Sequence, residues 1–193
     1  MKRLSWKYIA GLVDGEGCID MQLTHHKQYP GRPYITPRIR VTMAECGIDP
    51  LKLLYANHGG GLSEAKRNKK NPNWQNAWSW VLGGKSARPF LQNIVNHLII
   101  KKEQARLVIW MIDNVMGKHV NDELREHLHN ELKAMKRDPH RLSEVAVIKC
   151  KELIELGAIK EYPKCNVCGK DMRPHTTRSS HIACGGKLRT LDD

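Results

Sequence analysis

The chain has 193 residues, enough for one sizeable core with a small appendage. Lys and Arg number 32 against 20 Asp and Glu, a formal charge of +12, which suits a polyanionic partner because each neutralised phosphate releases counterions. No long apolar run is present, and the basic start at 1–6 runs straight into a patterned helix interrupted by Asp14 and Glu16, so neither a membrane partner nor a signal peptide is expected and the protein reads as intracellular.

Residues 4–14 carry helical apolar spacing, with Leu4, Tyr8, Gly11 and Leu12 able to share a face and Ser5 near the start. Gly15 and Gly17 are read as breaking that helix. Residues 18–26 alternate: Ile19, Met21 and Leu23 point one way, Asp20, Gln22, Thr24 and His26 the other, as in a strand with one wet face. Pro30, Gly31 and Pro33 make 27–34 a loop or hairpin connection. Residues 35–43 alternate again, with Ile39, Val41 and Met43 toward the core and Arg38, Arg40 and Thr42 on the wet face. A short helix over 49–57 ends at Gly59-Gly60-Gly61, and strands follow at 62–67 and 75–82 around a polar tip at 68–73. Trp78, Trp80 and Leu82 are assigned to the core, since a tryptophan stripe alternating with small residues is more often packing than base stacking. Helices are predicted over 86–98, 101–116, 121–136 and 142–157. Four strands with helices on one side form an α+β architecture. Its other face, polar and basic, suits a DNA groove.

Residues 9–17 read Ile-Ala-Gly-Leu-Val-Asp-Gly-Glu-Gly. Ala10 and Gly11 lack bulk, so a second helix can approach closely, and glycines flank Glu16, which is left projecting at the helix end. A carboxylate beside backbone carbonyls offers the oxygen ligands that a hard divalent cation favours. This nonapeptide resembles the signature of the LAGLIDADG homing endonucleases in its form ending Gly-Glu-Gly, with Tyr8 just upstream and an alternating strand just downstream. The helix and strand order from residue 4 to about 117 is also similar to that family's α-β-β-α-β-β-α core.

The resemblance implies that two motif helices pack together through their small residues. Each then presents its last acid, here Glu16, to the scissile phosphates, with the carbonyl of Gly15 as a second contact to magnesium or manganese. Asp14 falls at the position that supports the helix end. Lys101, at the start of the last core helix, matches the family's catalytic lysine, and Lys102 is its neighbour to test second. Met43 stands where some members carry a water-positioning glutamine, and it cannot do that work. A second motif is not visible: residues 109–117 lack the small contacts and the terminal acid. Two carboxylates are needed for two cuts, so the resemblance implies a homodimer on a long, pseudo-palindromic double-stranded site, cut by metal-activated water. The implied setting is an intron-encoded protein in the cytoplasm or nucleoid of a prokaryotic or phage host, or in an organelle.

With the sheet in the major groove, Asp20, Gln22, Thr24, His26, Arg38 and Arg40 are the expected DNA-reading residues, and Lys66, Arg67, Lys69 and Lys70 the expected phosphate contacts. Asp20 is unusual in a basic face; it suits a cytosine amino group or restrains a neighbouring arginine. At the C-terminus, Cys165-x-x-Cys168 and His181-x-x-Cys184 are each followed by glycine, a spacing that suits tetrahedral structural zinc, with His175 in reserve. That stretch is basic, too small to hold its own core, and would fold around the metal as an added DNA-binding ribbon. The division is therefore a catalytic core at 1–118, a helical extension or linker at 119–160, and a zinc-binding module at 161–193. Two other readings use the same scaffold: a DNA-binding regulator that does not cut, and a maturase that binds its host intron RNA.

Overall fold

The computed structural model describes residues 3–26, 29–65 and 76–160, with side chains described outside 24–34 and 160. The elements are α1 (Trp6–Glu16), β1 (Gly17–His26), β2 (Tyr29–Ala44), α2 (Ile48–His58), β3 (Gly61–Glu64), β4 (Ala77–Gly83), α3 (Ala87–Ile94), α4 (Lys102–Asn114), β5 (His119–Val120), α5 (Asp122–Arg137), α6 (Ser143–Leu153) and β6 (Ile159–Lys160). Four strands form one antiparallel sheet in the order β1-β2-β4-β3, and β5 pairs with β6 in a separate small ladder.

The alternation predicted for β1 and β2 sets the sheet's two faces. Ile19 pairs with Ile39 and Asp20 with Arg38, so each strand contributes to both faces in step. Ile19, Met21, Ile39, Val41, Trp80 and Leu82 are buried against the helices. Trp80 also satisfies its ring N–H on the carbonyl oxygen of Gly59 at 2.8 Å, which fastens the end of α2 to β4. Gly60 lies beneath that contact with φ 87°, where an added Cβ would meet the Val81 carbonyl oxygen at 2.4 Å.

Two boundaries differ from the sequence reading. β2 begins at Tyr29, within the stretch read as a loop, because pairing with β1 extends through Thr24–Tyr34 and, past a register shift, to His26–Tyr29. Tertiary pairing overrides the proline punctuation there. α1 does not break at Gly15 but continues to Glu16, and neither Gly15 nor Gly17 has a positive φ. The requirement at Gly17 is steric: a Cβ would lie 2.5 Å from the carbonyl oxygen of Val13, the group that accepts the Gly17 N–H. Helix therefore passes into strand with no intervening loop.

The helices over 122–153 add to the same core. Leu124, Leu128, Leu132 and Met135 of α5 and Ala146, Cys150 and Leu153 of α6 are buried in one cluster with α4 and β1 residues. At roughly 1.5–3 kcal/mol per large aliphatic side chain, this burial is a substantial part of the fold's stability. α5 also lies along the free edge of β1, where His129 Nδ1 donates to the Met21 carbonyl oxygen at 3.2 Å. A covered edge strand cannot recruit another strand. Among the described residues, no helix is long and apolar enough to cross a membrane.

Candidate active site

α1 starts at Ser5, whose hydroxyl oxygen accepts the Tyr8 N–H at 3.2 Å. It buries Ile9, Ala10 and Val13. The opposite side shows Tyr8, Gly11 and Gly15 to solvent, and nothing lies within 4 Å of a Cβ built on either glycine. Glu16, the last helical residue, is exposed. The helix end leaves backbone carbonyls without intrahelical partners, and its dipole is negative there, so cations are favoured.

Asp14 is committed elsewhere. Its carboxylate accepts the backbone N–H of Ile99 at 2.7 Å, of Ile100 at 3.3 Å and of Lys101 at 2.9 Å. It thereby fastens the turn that leads into α4 to the end of α1. Lys101 returns the contact, its ammonium donating to the Asp14 carbonyl oxygen at the end of α1. Lys101 lies just before α4 rather than within it. Ile99 and Ile100, on the same turn, are exposed, Ile99 at 88%.

The same device recurs one step outward. The Glu103 carboxylate accepts the Ser143 N–H at 3.0 Å and its hydroxyl at 2.7 Å, capping α6, and pairs with Arg106 at 2.6 Å. Burial pushes the Glu103 carboxyl up, but the Ser143 hydrogen bonds and the Arg106 guanidinium outweigh it and hold the group below the usual glutamate range.

The polar face of the sheet begins where α1 ends. Asp20 and Arg38, cross-strand partners, form an ion pair at 2.6 Å with both side chains largely covered. Asp20 restrains Arg38, one of the two roles considered for it. Gln22 is exposed opposite Thr36, and Arg40 stands opposite Cys18. Thr42 and Ser79 share a hydroxyl hydrogen bond at 3.0 Å on the same face. Met43 is half-buried on the other side against Gly47. Thr24 and His26 are in β1, their side chains outside the described set. Lys66, Arg67, Lys69, Lys70, Cys165, Cys168, His181 and Cys184 lie outside the described residues altogether.

Sequence reasoning missed Lys136, whose ammonium lies 3.5 Å from the Cys18 sulfur and adds a positive charge beside this face. The pair is separated by 118 residues, and no local pattern announces it. Among the described residues, no group of three or more His, Cys, Asp or Glu side chains could hold a metal ion. The chain offers a carboxylate at Glu16 beside the α1 carbonyls, hard oxygens of the kind a divalent cation favours.

No family model matches the chain, and no curated protein does. Solved structures do. The homing endonuclease I-CvuI, in complex with its target in the presence of calcium, matches with a TM-score of 0.57 and 22% identity over 80% of this chain and 96% of that one. The archaeal intron-encoded homing endonuclease I-Vdi141I, complexed with DNA, matches with a TM-score of 0.54 and 19% identity over 79% of this chain and 97% of that one. The matched share extends well past residue 118, in keeping with α5 and α6 being built into the core. On the order of its elements, its sheet topology and these likenesses, the chain has the fold of the LAGLIDADG homing endonucleases.

Proposed function

We propose that this chain is a LAGLIDADG homing endonuclease that works as a homodimer, hydrolysing double-stranded DNA at a long pseudo-palindromic site with magnesium or manganese. The observation that carries the reading is Glu16: an exposed carboxylate at the end of a helix whose outer face is glycine, placed where a polar and basic sheet face begins.

A single carboxylate cannot serve two strand cuts. The exposed surface of Tyr8, Gly11 and Gly15 supports close packing of α1 against the same helix of a second copy. A twofold axis between the two helices would bring both Glu16 carboxylates to the centre of a symmetric target. Glu16 and the Gly15 carbonyl would hold the cation, which when bound supplies a polarised phosphate and an acidified water. Lys101, whose ammonium meets the Asp14 carbonyl oxygen at the end of α1, would offset charge developing on the phosphate oxygens. The Asp14 carboxylate is engaged with three N–H groups, which leaves Glu16 as the acid of the motif free to bind.

Gln22, Arg38 and Arg40 would read bases, with Asp20 holding Arg38 in place, Thr24 and His26 further along β1, and Lys66, Arg67, Lys69 and Lys70 on phosphates. Residues 161–193 are read as a zinc module held by Cys165, Cys168, His181 and Cys184. Metal analysis of the full chain should find one zinc, lost in Cys165→Ser.

The test of function is cleavage of a randomised double-stranded DNA library with magnesium by wild type and Glu16→Gln. A pseudo-palindromic site cut by wild type alone supports the reading. Tight selection without cutting by either protein would favour a DNA-binding regulator. Equal cutting by both would remove Glu16 from the active site.

A further inference from the structure

Arg38 and Asp20 are cross-strand partners on the polar face of the sheet, and their side chains are 25% and 18% exposed around an ion pair of 2.6 Å. The Nε of Arg38 is enclosed and meets no acceptor among the described residues. An outside partner must therefore be met by the two terminal nitrogens, and Asp20 holds one of these, Nη2. On its other side Arg38 is paired with Gly83, which is exposed and has no side chain to cover the guanidinium.

Charge separates the two uses that an arginine has on a duplex. A phosphate contact draws its energy from net positive charge, through counterion release. Arg38 and Asp20 together carry none. What the pair offers is direction: a planar fork held in one orientation by its acceptor. Two parallel donors match the adjacent O6 and N7 acceptors of guanine, whereas adenine has a donor amino group in place of O6. The carboxylate beside the fork also repels a phosphate oxygen.

We propose that Asp20 is a positioning residue that aims Arg38 at a guanine, and that this neutral pair selects a G·C pair at one position of the DNA each chain covers. The inference rests on the duplex-DNA part of the reading above and not on cleavage.

Binding selection from a randomised duplex library tests it, run with the full chain in a Glu16→Gln background so that the DNA stays intact. The parent should select guanine at one fixed position per chain. Adding Asp20→Asn should lower that preference about tenfold and leave the other positions as they are. It should also tighten binding to random duplex, since a charge opposing DNA is gone. Asp20→Asn with Arg38→Met keeps the net charge of the parent; it should lose the preference without changing the salt dependence of binding. A preference ratio is internal to each variant, so partial unfolding, which weakens binding to every sequence alike, cannot imitate the result. A guanine preference that survives Asp20→Asn would overturn the inference, as would uniform weakening across all sequences in the double variant, the signature of a phosphate contact. Selection of no site by the parent would remove the duplex-DNA reading itself, and this inference with it.

Discussion

Asp14 and Lys101 hold each other twice: the Asp14 carboxylate accepts the Lys101 backbone N–H at 2.9 Å, and the Lys101 ammonium donates to the Asp14 carbonyl oxygen. The end of α1 and the start of α4 are thus one unit, although 87 residues separate them. Asp14→Ala leaves three N–H groups without their acceptor. It should cost roughly 2–3 kcal/mol in urea unfolding, and Asp14→Asn about half as much, since the amide keeps one acceptor oxygen. Equal loss in the two variants would mean that a neutral acceptor cannot stand in for the carboxylate charge.

Among the described residues Glu16 has no hydrogen-bond partner, so Glu16→Gln should leave the unfolding free energy within about 0.5 kcal/mol of wild type. Single-turnover cleavage should fall by a factor on the order of a thousand or more. Lys101→Met should reduce the same rate by roughly a hundredfold, with Lys101→Arg recovering part of it. A Lys101→Met enzyme of normal rate would confine this lysine to capping α1.

The glycines of the motif separate into two classes. Gly17→Ala places a Cβ 2.5 Å from the Val13 carbonyl oxygen, and should destabilise the monomer by roughly 1–3 kcal/mol. Gly11→Ala and Gly15→Ala meet nothing within 4 Å, and alanine is the better helix former, so the isolated fold should gain up to about 1 kcal/mol. If α1 is the dimer surface, Gly11→Leu should shift sedimentation toward monomer while chemical denaturation of the monomer is unaffected.

Glu103 predicts a pH dependence. Its carboxyl is held below the ordinary glutamate value in the folded chain, so its contribution is present above the unfolded pKa of about 4.3 and is lost as pH falls through the folded value. The stability difference between wild type and Glu103→Gln should be flat near pH 7 and should shrink below about pH 4. A difference that grows on acidification would contradict the capping of Ser143 by an ionised Glu103.

The parts of the fold that follow from local pattern were legible in the sequence. Period-two alternation put Ile19 and Met21 opposite Asp20 and Gln22, and the same rule separated Ile39 and Val41 from Arg38 and Arg40. Tyr29 to Tyr34 were not legible as strand, because proline punctuation is local while pairing with β1 is not. Nor was the continuation of α1 through Gly15, where a single glycine costs the helix only about 1 kcal/mol. The carboxylate contacts of Asp14 and Glu103 and the approach of Lys136 to Cys18 join residues far apart in the chain, beyond any periodicity. Of the candidate site, the motif pointed to Glu16, but the engagement of Asp14 appears only once α4 is folded against α1.

The loop-free passage from α1 into β1 makes the protein a ruler. Glu16 ends the helix and Asp20 stands four residues on in the strand, about 13 Å away at the rise of a β-strand. Gly17, between them, is held by its N–H on the Val13 carbonyl oxygen, which keeps that span fixed. On the proposed reading, substitutions along β1 and β2 would change which bases are accepted, while the cut would stay at a constant offset from the first base read. Retargeting this scaffold would therefore alter the address without moving the scissile bond.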